Sequence, residues 1–208
     1  MKGSLTAVLF FSIGLTAGHC DYLPTWTTDS RISFVALCGL LLFVGIGIGL
    51  NPNMKNDIKS LSPRLALLPI VTILGSWLGA MAAYLAISSG VCPLLETRSI
   101  TDCMAINSGF AYYSLSSIFI TEYRGAELGT IALLANVIRE LITLLLTPLI
   151  AKRFGPLAPI SSGGATTMDT TLPIIIQTVG QRYTALSIYH GFLTDFSVPF
   201  LVTMWCML

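Results

Sequence analysis

The stretch LGTIALLANVIRELITLLLTPLIA, residues 128–151, decides the fold class of this chain. A helix of about 20 apolar residues crosses the hydrocarbon core of a bilayer, and this mostly apolar stretch is uncharged except for the pair Arg139–Glu140 near its middle. A charged side chain at that depth costs about 2.5–3.5 kcal/mol on the insertion scale. The stretch therefore predicts a transmembrane helix with two costly charges, and such a cost indicates a functional site.

Apolar stretches of similar length recur on both sides of this one. Hydrophobic residues make up 54% of the chain and charged residues only 10%, whereas soluble domains contain about 25% charged residues. We predict an all-α integral membrane protein, a single polytopic domain over residues 1–208, with about five long transmembrane helices and two broken or re-entrant segments. The predicted spans are 3–20, 32–50, 65–88, 128–151 and 183–206.

The two broken segments are recognised by their density of Gly, Ser, Thr and Pro. They contain INSGFAYYSLSS (106–117) and PISSGGATTMDTTLP (159–173). Gly163 and Gly164 weaken a helix, and Pro173 favours the first turn of a new one. Irregular backbone is tolerated at membrane depth only where it is buried in protein or lines a wet cavity. The alternative is a straight span with small residues at a packing face. The broken segments are predicted near 103–121 and 157–180.

The distribution of Lys and Arg in short loops predicts the orientation. Six basic residues fall on one side of the predicted spans and three on the other. We therefore expect a multi-pass protein of the cytoplasmic (inner) membrane with a cytoplasmic amino terminus, and broken segments that enter from opposite faces. A cleaved signal peptide is the alternative for the first apolar run, although His19 before Cys20 does not suit a lipoprotein site. The basic residues are Lys2, Lys55, Lys59, Arg64, Lys152 and Arg153 on one side and Arg31, Arg98 and Arg124 on the other.

Glu140 shares its helix face with other polar residues. Asn136 lies one turn before it and Thr143 about one turn after it, which places all three on one stripe. Arg139 points about 100° away, so the two charges do not pair along the helix and each needs a partner elsewhere. A carboxylate on such a stripe indicates a pathway for a cation or a proton. A structural polar seam between packed helices is the alternative.

Further candidate binding residues lie in the broken segments and in the last span. Asp169 lies in the second break among several threonines, and half-helix ends there expose backbone groups that bind ions or charged substrates. A helix-capping Asp is the alternative. Packing is the alternative for the residues of the last span and for the aromatic stretch. The further candidates are Gly163, Gly164, Thr166 and Thr167 in the second break, Tyr113 and Ser114 in the first, and His190 and Asp195 in the last span.

Several function classes find little support in the sequence. A net charge of +1 does not suggest a nucleic-acid partner, and the cysteines have no metal-ligand spacing, so we predict neither metal nor cofactor. Cys92 and Cys103 flank a short loop and could form a disulfide in an oxidising compartment. Ser161 or Ser162 with His190 could form a hydrolase site, but no hydrolase motif surrounds them. We expect no enzyme.

Three stretches also resemble a known family. ELGTIALLANVIRELITLLLTPLI, GGATTMDTTLP and YHGFLTDFSVP closely resemble the LysO-type lysine exporters, and SGFAYYSLSS is similar to that family's SGFGWYSLSG. Ala111, Tyr112 and Ser117 depart from that pattern, and Asp195 stands where a smaller or apolar residue is expected. The resemblance covers most of the chain and is strongest from about residue 105 to residue 200.

The resemblance implies a function and an essential residue. It implies export of L-lysine in exchange for protons, with Glu140 as the essential membrane carboxylate. Family members carry an additional amino-terminal helical module with another acidic residue, so a small separate membrane subunit, or a homo-oligomer, is the expected partner. A non-transporting membrane subunit and a transporter of another small cation are the alternatives.

The residues suggest how lysine would bind. We expect the ammonium of lysine to pair with Glu140, shared with Asp169, while its carboxylate meets the amino end of a half-helix near Gly163–Gly164. A carboxylate that binds either lysine or a proton, never both, gives exchange with the fewest parts.

Overall fold

A computed structural model describes residues 63–89 and 99–208 continuously, together with single positions between residues 9 and 50. The described residues form helices and short connections, and none of them forms a strand. The predicted spans 3–20 and 32–50 lie largely outside the described residues, as do Cys92 and most of the basic residues used for the orientation. The orientation therefore stays a prediction.

Seven α-helices follow one another in the continuous part of the chain. Three short 3₁₀ segments accompany them, before α1, after α5 and before α7. The helices are α1 (Leu68–Ser88), α2 (Ile100–Asn107), α3 (Tyr113–Arg124), α4 (Ala126–Phe154), α5 (Ala158–Gly163), α6 (Leu172–Val179) and α7 (Thr184–Met207), and the 3₁₀ segments are Pro63–Leu67, Gly164–Met168 and Gln181–Tyr183.

Three of these helices are long and apolar enough to cross a membrane. With their adjoining 3₁₀ turns they run over Pro63–Ser88, Ala126–Phe154 and Gln181–Met207. They confirm the predicted spans at 65–88, 128–151 and 183–206 by length and composition. The chain is therefore a helical membrane protein, while the total of five spans stays a prediction.

The first broken segment forms a hairpin, residues 100–124, here called hairpin 1. Its helices α2 and α3 are separated by a tip in which Phe110 and Ala111 have φ angles of 43° and 70°, which a continuing helix does not allow. At the base, Arg124 Nη1 in α3 lies 3.5 Å from Asp102 Oδ1 in α2. Both arms of hairpin 1 therefore start and end at the same end of the molecule.

The second broken segment forms hairpin 2, residues 158–179, and it enters from the opposite end. Helix α4 leaves the base of hairpin 1 and rises about 1.5 Å per residue over its whole length, which carries the chain to the far end, where α5 begins. Helix α7 runs back to the base of hairpin 1. There, Arg124 Nε donates to the carbonyl oxygen of Cys206, near the carboxyl end of α7, at 3.0 Å. The predicted interruptions are thus present, and Pro173 lies in the first turn of α6 as expected.

The two hairpin tips meet in the interior. Ala165 N in hairpin 2 donates to the Phe110 carbonyl oxygen in hairpin 1 at 2.9 Å, and the Phe110 side chain is fully buried. Around this contact, Val198 and Val202 of α7 pack with Ile120 of hairpin 1. The architecture is therefore two units, each a half-depth hairpin followed by a long helix, that face each other through their tips.

Candidate functional site

The contact between the tips depends on a glycine. Gly164 has φ +59°, and a Cβ there would collide with the Phe110 carbonyl oxygen, so a residue without a side chain lets the two backbones touch. Gly163 and Gly164 were expected at the amino end of a half-helix, and Gly164 does begin a segment, but this segment is a five-residue 3₁₀ turn and not an α-helix. The two glycines lie at the carboxyl end of α5, because the left-handed backbone at Gly164 stops the helix there.

Glu140 and Asp169 come together through a threonine. Thr170 Oγ1 donates to Glu140 Oε1 at 2.6 Å and lies 3.4 Å from Asp169 Oδ1, and the Thr170 backbone N–H donates to Asp169 Oδ1. A hydroxyl has only one proton to donate. The Thr170 hydroxyl therefore orients the Glu140 carboxylate, and the Thr170 backbone N–H holds the Asp169 carboxylate. The structure thus joins a residue of α4 to the tip of hairpin 2.

A third carboxylate lies near this pair. Asp195 of α7 is close enough to Asp169 to interact with it electrostatically, and all three side chains are half-buried. We call Glu140, Asp169 and Asp195 the acidic cluster. No Lys, Arg or His in the described part of the chain forms a salt bridge with it. Carboxylates so placed repel one another unless protons or a cation join them, so the acidic cluster is suited to bind either.

Arg139 lies on another side of α4, away from the acidic cluster. Its Nε donates to the Ser162 carbonyl oxygen at 2.9 Å and its Nη2 to that of Ser161 at 3.1 Å. Its Nη1 donates to Ser76 Oγ at 3.2 Å, and the guanidinium lies 5.6 Å from the centroid of the Phe110 ring. Arg139 therefore satisfies the last carbonyls of α5, which a helix end leaves without partners. The two charges have different partners, as predicted.

Asn136 supports the tip of hairpin 1. It is 3% exposed, its Oδ1 accepts from the Ala111 backbone N–H at 2.8 Å, and its Nδ2 donates to the Ile106 and Ala132 carbonyl oxygens at 3.1 and 2.9 Å. These bonds engage both ends of the amide. The two interpretations of the polar stripe therefore apply to different residues. Glu140 lies in the acidic cluster, whereas Asn136 belongs to a structural polar seam between packed helices.

Thr166 turns toward the backbone of its own hairpin, and Thr167 lies between that backbone and the Ser187 carbonyl oxygen of α7, 2.9 Å from the latter. Thr166 Oγ1 donates to the Gly163 carbonyl oxygen at 2.8 Å, and Thr167 Oγ1 lies 2.8 Å from the Gly164 carbonyl oxygen. They hold the 3₁₀ segment in shape. Neither hydroxyl reaches a carboxylate of the acidic cluster.

His190 is fully buried behind the tip of hairpin 2. Its Nε2 is hydrogen-bonded to Thr72 Oγ1 at 2.9 Å and its Nδ1 to Thr167 Oγ1 at 3.2 Å. Thr72 also donates to Ser161 Oγ at 3.0 Å, so it separates the imidazole from that serine. Both ring nitrogens have partners, and the structure places His190 apart from the acidic cluster.

The aromatic stretch of hairpin 1 faces the acidic cluster in part. Tyr113, the first residue of α3, is close enough to Glu140 and Asp169 to interact electrostatically, while Ser114 is exposed. Tyr112 has the same relation to Asp169 and Asp195. Cys103 lies in α2 near the base of the hairpin, and its pairing with Cys92 stays a prediction.

Sequence reasoning missed three contributors. Thr170 was noticed only as one of the threonines around Asp169, and its contact with Glu140 depends on the backbone of the tip. Thr72 and Ser76 of α1 were not considered, although they stand four residues apart in an apolar helix. Such a pair lies on one helix face, which is a signal that the sequence contains.

Comparisons with known proteins agree on one family. The family described as "Lysine exporter LysO" matches residues 8–206 of this chain. "Lysine exporter LysO" of Escherichia coli (strain K12) is 31% identical over 198 residues, which cover 95% of this chain and 61% of that protein. A "Putative lysine exporter" of Haemophilus influenzae is 31% identical over 207 residues, 99% of this chain and 97% of that protein. No solved structure matches.

Proposed function

The chain belongs to the LysO family of lysine exporters, and from this premise we propose that it exports L-lysine, or a similar cationic amino acid, across the cytoplasmic membrane in exchange for protons. The names of its relatives supply the substrate. The acidic cluster supplies the physical support, and the two hairpins supply a way to reach the cluster from either side.

The observation that carries the proposal is the convergence of three carboxylates from three parts of the chain. Glu140 comes from the middle of α4, Asp169 from the tip of hairpin 2 and Asp195 from the middle of α7. Ionised carboxylates are costly at membrane depth, and in the described part of the chain no resident cation offsets this group. A mobile cation, either the ammonium of lysine or a proton, does so in this proposal.

Exchange follows from competition for the same carboxylates. Export of a solute of charge +1 against an inside-negative potential costs about 2.3 kcal/mol per 100 mV, and the return of one proton cancels that movement of charge. Glu140 binds the ammonium or a proton but not both, and Thr170 keeps its carboxylate oriented in the ammonium-bound state. Each turn of the cycle therefore replaces one cation by the other.

The hairpins give the exchange its two sides. Hairpin 1 and hairpin 2 reach the acidic cluster from opposite ends of the molecule, an arrangement found in transporters built from inverted repeats around a midplane site. Movement of one unit against the other opens the cluster to one side at a time. The chain does this together with a small separate membrane subunit, or as a homo-oligomer.

Removal of the Glu140 charge tests the proposal. The chain, purified with any subunit that accompanies it, is reconstituted in proteoliposomes, and exchange of radiolabelled lysine driven by a pH gradient is measured. Glu140→Gln should abolish the pH-driven exchange, because the amide binds neither a proton nor an ammonium as a carboxylate does. Glu122→Gln, an exposed change near the base of hairpin 1, should leave it unchanged.

Folding is checked by size-exclusion chromatography and circular dichroism of both variants. Coupled lysine exchange at the wild-type rate by a folded Glu140→Gln variant would refute the mechanism. Wild-type vesicles that exchange another cation but not lysine would refute the substrate and keep the site.

A further inference from the structure

A cavity of about 290 Å³ lies between α1, α2 and α4, on the Arg139 side of α4. Its walls include the small side chains of Ala83 in α1 and Ala135 in α4, and three residues with polar side chains, Asn107, Asn136 and Arg139, also line it. None of the three carboxylates of the acidic cluster lines it. The cavity is thus distinct from the acidic cluster, although both adjoin the same stretch of α4.

Arg139 retains donors for a ligand in this cavity. A guanidinium has five N–H donors, and in the described part of the chain three of its bonds go to Ser161, Ser162 and Ser76. Two N–H groups are therefore left, on the planar group that best fits the two oxygens of a carboxylate.

The positive charge of Arg139 is only partly offset. Its partners are the carbonyl end of a short helix and a serine hydroxyl. A helix end carries about half an elementary negative charge at most, and α5 has only six residues. An excess of positive charge stays on the guanidinium, and it favours an anion in the adjoining cavity.

An amino acid has a charge that the acidic cluster repels. The ammonium of lysine suits Glu140, but its α-carboxylate cannot lie among three further carboxylates without repulsion. Of the Lys and Arg residues in the described helices, Arg139 is the one placed in the middle of a long helix rather than at an end. The group best suited to the carboxylate therefore adjoins the cavity.

We propose that this cavity receives the α-carboxylate of the amino-acid substrate, bound by the two remaining N–H groups of Arg139 between the alanine walls. The inference rests on the proposed function and adds to it the residue that distinguishes an amino acid from a simple amine. Arg139 then has two tasks, since it holds the end of α5 and binds the substrate.

The test fills the cavity and leaves the charges of Arg139 and Glu140 in place. Ala83→Leu and Ala135→Leu add side-chain volume from opposite walls, and Ala82→Leu is the matched control on an exposed part of α1 that does not line the cavity. Proteoliposomes loaded with lysine take up radiolabelled lysine by exchange. The concentrations of unlabelled lysine and of 1,5-diaminopentane, which is lysine without its carboxylate, that halve the uptake are compared.

In the wild-type chain, lysine should compete at about a tenfold lower concentration than the diamine, because a charge-assisted pair with Arg139 is lost without the carboxylate. Ala83→Leu and Ala135→Leu should weaken lysine to the level of the diamine and leave the diamine unchanged, while Ala82→Leu keeps the tenfold preference. A full preference for lysine in both cavity-filling variants would overturn the proposal.

The outcomes separate this inference from the function beneath it. A wild-type chain that exchanges lysine but does not prefer it to the diamine contradicts the carboxylate site and leaves the export proposal standing. A wild-type chain that exchanges no lysine, although any subunit that co-purifies with it is present, contradicts the export proposal itself. Arg139→Lys is a second probe: it keeps the charge, and a fall in the preference for lysine with retained exchange supports bidentate binding.

Discussion

Hairpin 1 and hairpin 2 have the same outline and different chemistry. Each is a pair of short helices whose tip reaches the interior, and each precedes a long helix. At the tip of hairpin 1 the amide of Asn136 binds the backbone, and Phe110 fills the core. At the tip of hairpin 2, Asp169 and Thr170 reach toward Glu140 with side-chain oxygens.

This difference separates support from binding. A tip held by bonds between Asn136 and its backbone offers no charged group to a solute, whereas a tip that presents a carboxylate and a hydroxyl does. Hairpin 1 is therefore a structural support that contacts the tip of hairpin 2, and hairpin 2 contributes Asp169 to the acidic cluster. Loss of the bonds that hold hairpin 1 should reduce stability, and loss of the side-chain oxygens at the tip of hairpin 2 should reduce transport.

The largest effect is expected where the two tips touch. Gly164→Ala places a Cβ against the Phe110 carbonyl oxygen in a backbone region that is nearly exclusive to glycine. The strain alone costs about 1–3 kcal/mol, and the collision adds to it, so we expect a loss of at least about 3 kcal/mol. Thermal unfolding in detergent measures it.

A second glycine isolates the collision from the backbone strain. Gly155 has φ +89°, and a Cβ there would have open space around it. Gly155→Ala should therefore lower the stability by the strain alone, about 1–3 kcal/mol. Equal losses in the two variants would mean that the contact between the tips does not limit the fold.

The next effect tests hairpin 1 as support. Asn136→Ala leaves the Ala111 N–H without its partner, whereas the Ile106 carbonyl oxygen keeps its bond from the Gly109 N–H. A buried polar group left unsatisfied costs about 1–3 kcal/mol. We expect unfolding to occur at a lower temperature, while folded molecules still exchange lysine, because Asn136 lines the cavity beside Arg139 but forms no bond with the acidic cluster. Loss of exchange with unchanged stability would instead place Asn136 in the binding site.

Much of this division was visible in the sequence. The density of Gly, Ser, Thr and Pro in residues 106–117 and 159–173 predicts both tips, since these residues interrupt helices by known local effects. Glu140 and Asp169 stand out because carboxylates are rare at membrane depth. Local pattern and solvation cost were sufficient for these features.

The partners of Arg139 and Asn136 could not be predicted in the same way. Both side chains bind backbone groups of another segment, and a backbone carbonyl has no signature in the sequence. The end of α5 at Gly163 and Gly164 was not predicted for a related reason. A glycine pair marks a helix end but does not say which end, and only the left-handed backbone at Gly164 decides it.

The smallest effect tests hairpin 2 as the binding element. Thr170→Val keeps the shape of the side chain and removes the hydroxyl that donates to Glu140. A hydrogen bond to a charged group is worth about 1.5–3 kcal/mol, and loss of the lower value corresponds to roughly a tenfold weaker hold on the oriented carboxylate. We expect lysine exchange to fall about tenfold at unchanged thermal stability.

Thr178 provides the control for this change on the same hairpin. Its hydroxyl donates to the Ile174 carbonyl oxygen of its own helix at 2.8 Å. Thr178→Val therefore removes an equivalent hydroxyl that is not bonded to the acidic cluster. Exchange should then stay at the wild-type rate. Equal losses in both variants would mean that hairpin 2 responds to any missing hydroxyl. A loss of exchange in Thr170→Val alone would show that the hydroxyl that donates to Glu140 is what makes hairpin 2, and not hairpin 1, the binding element.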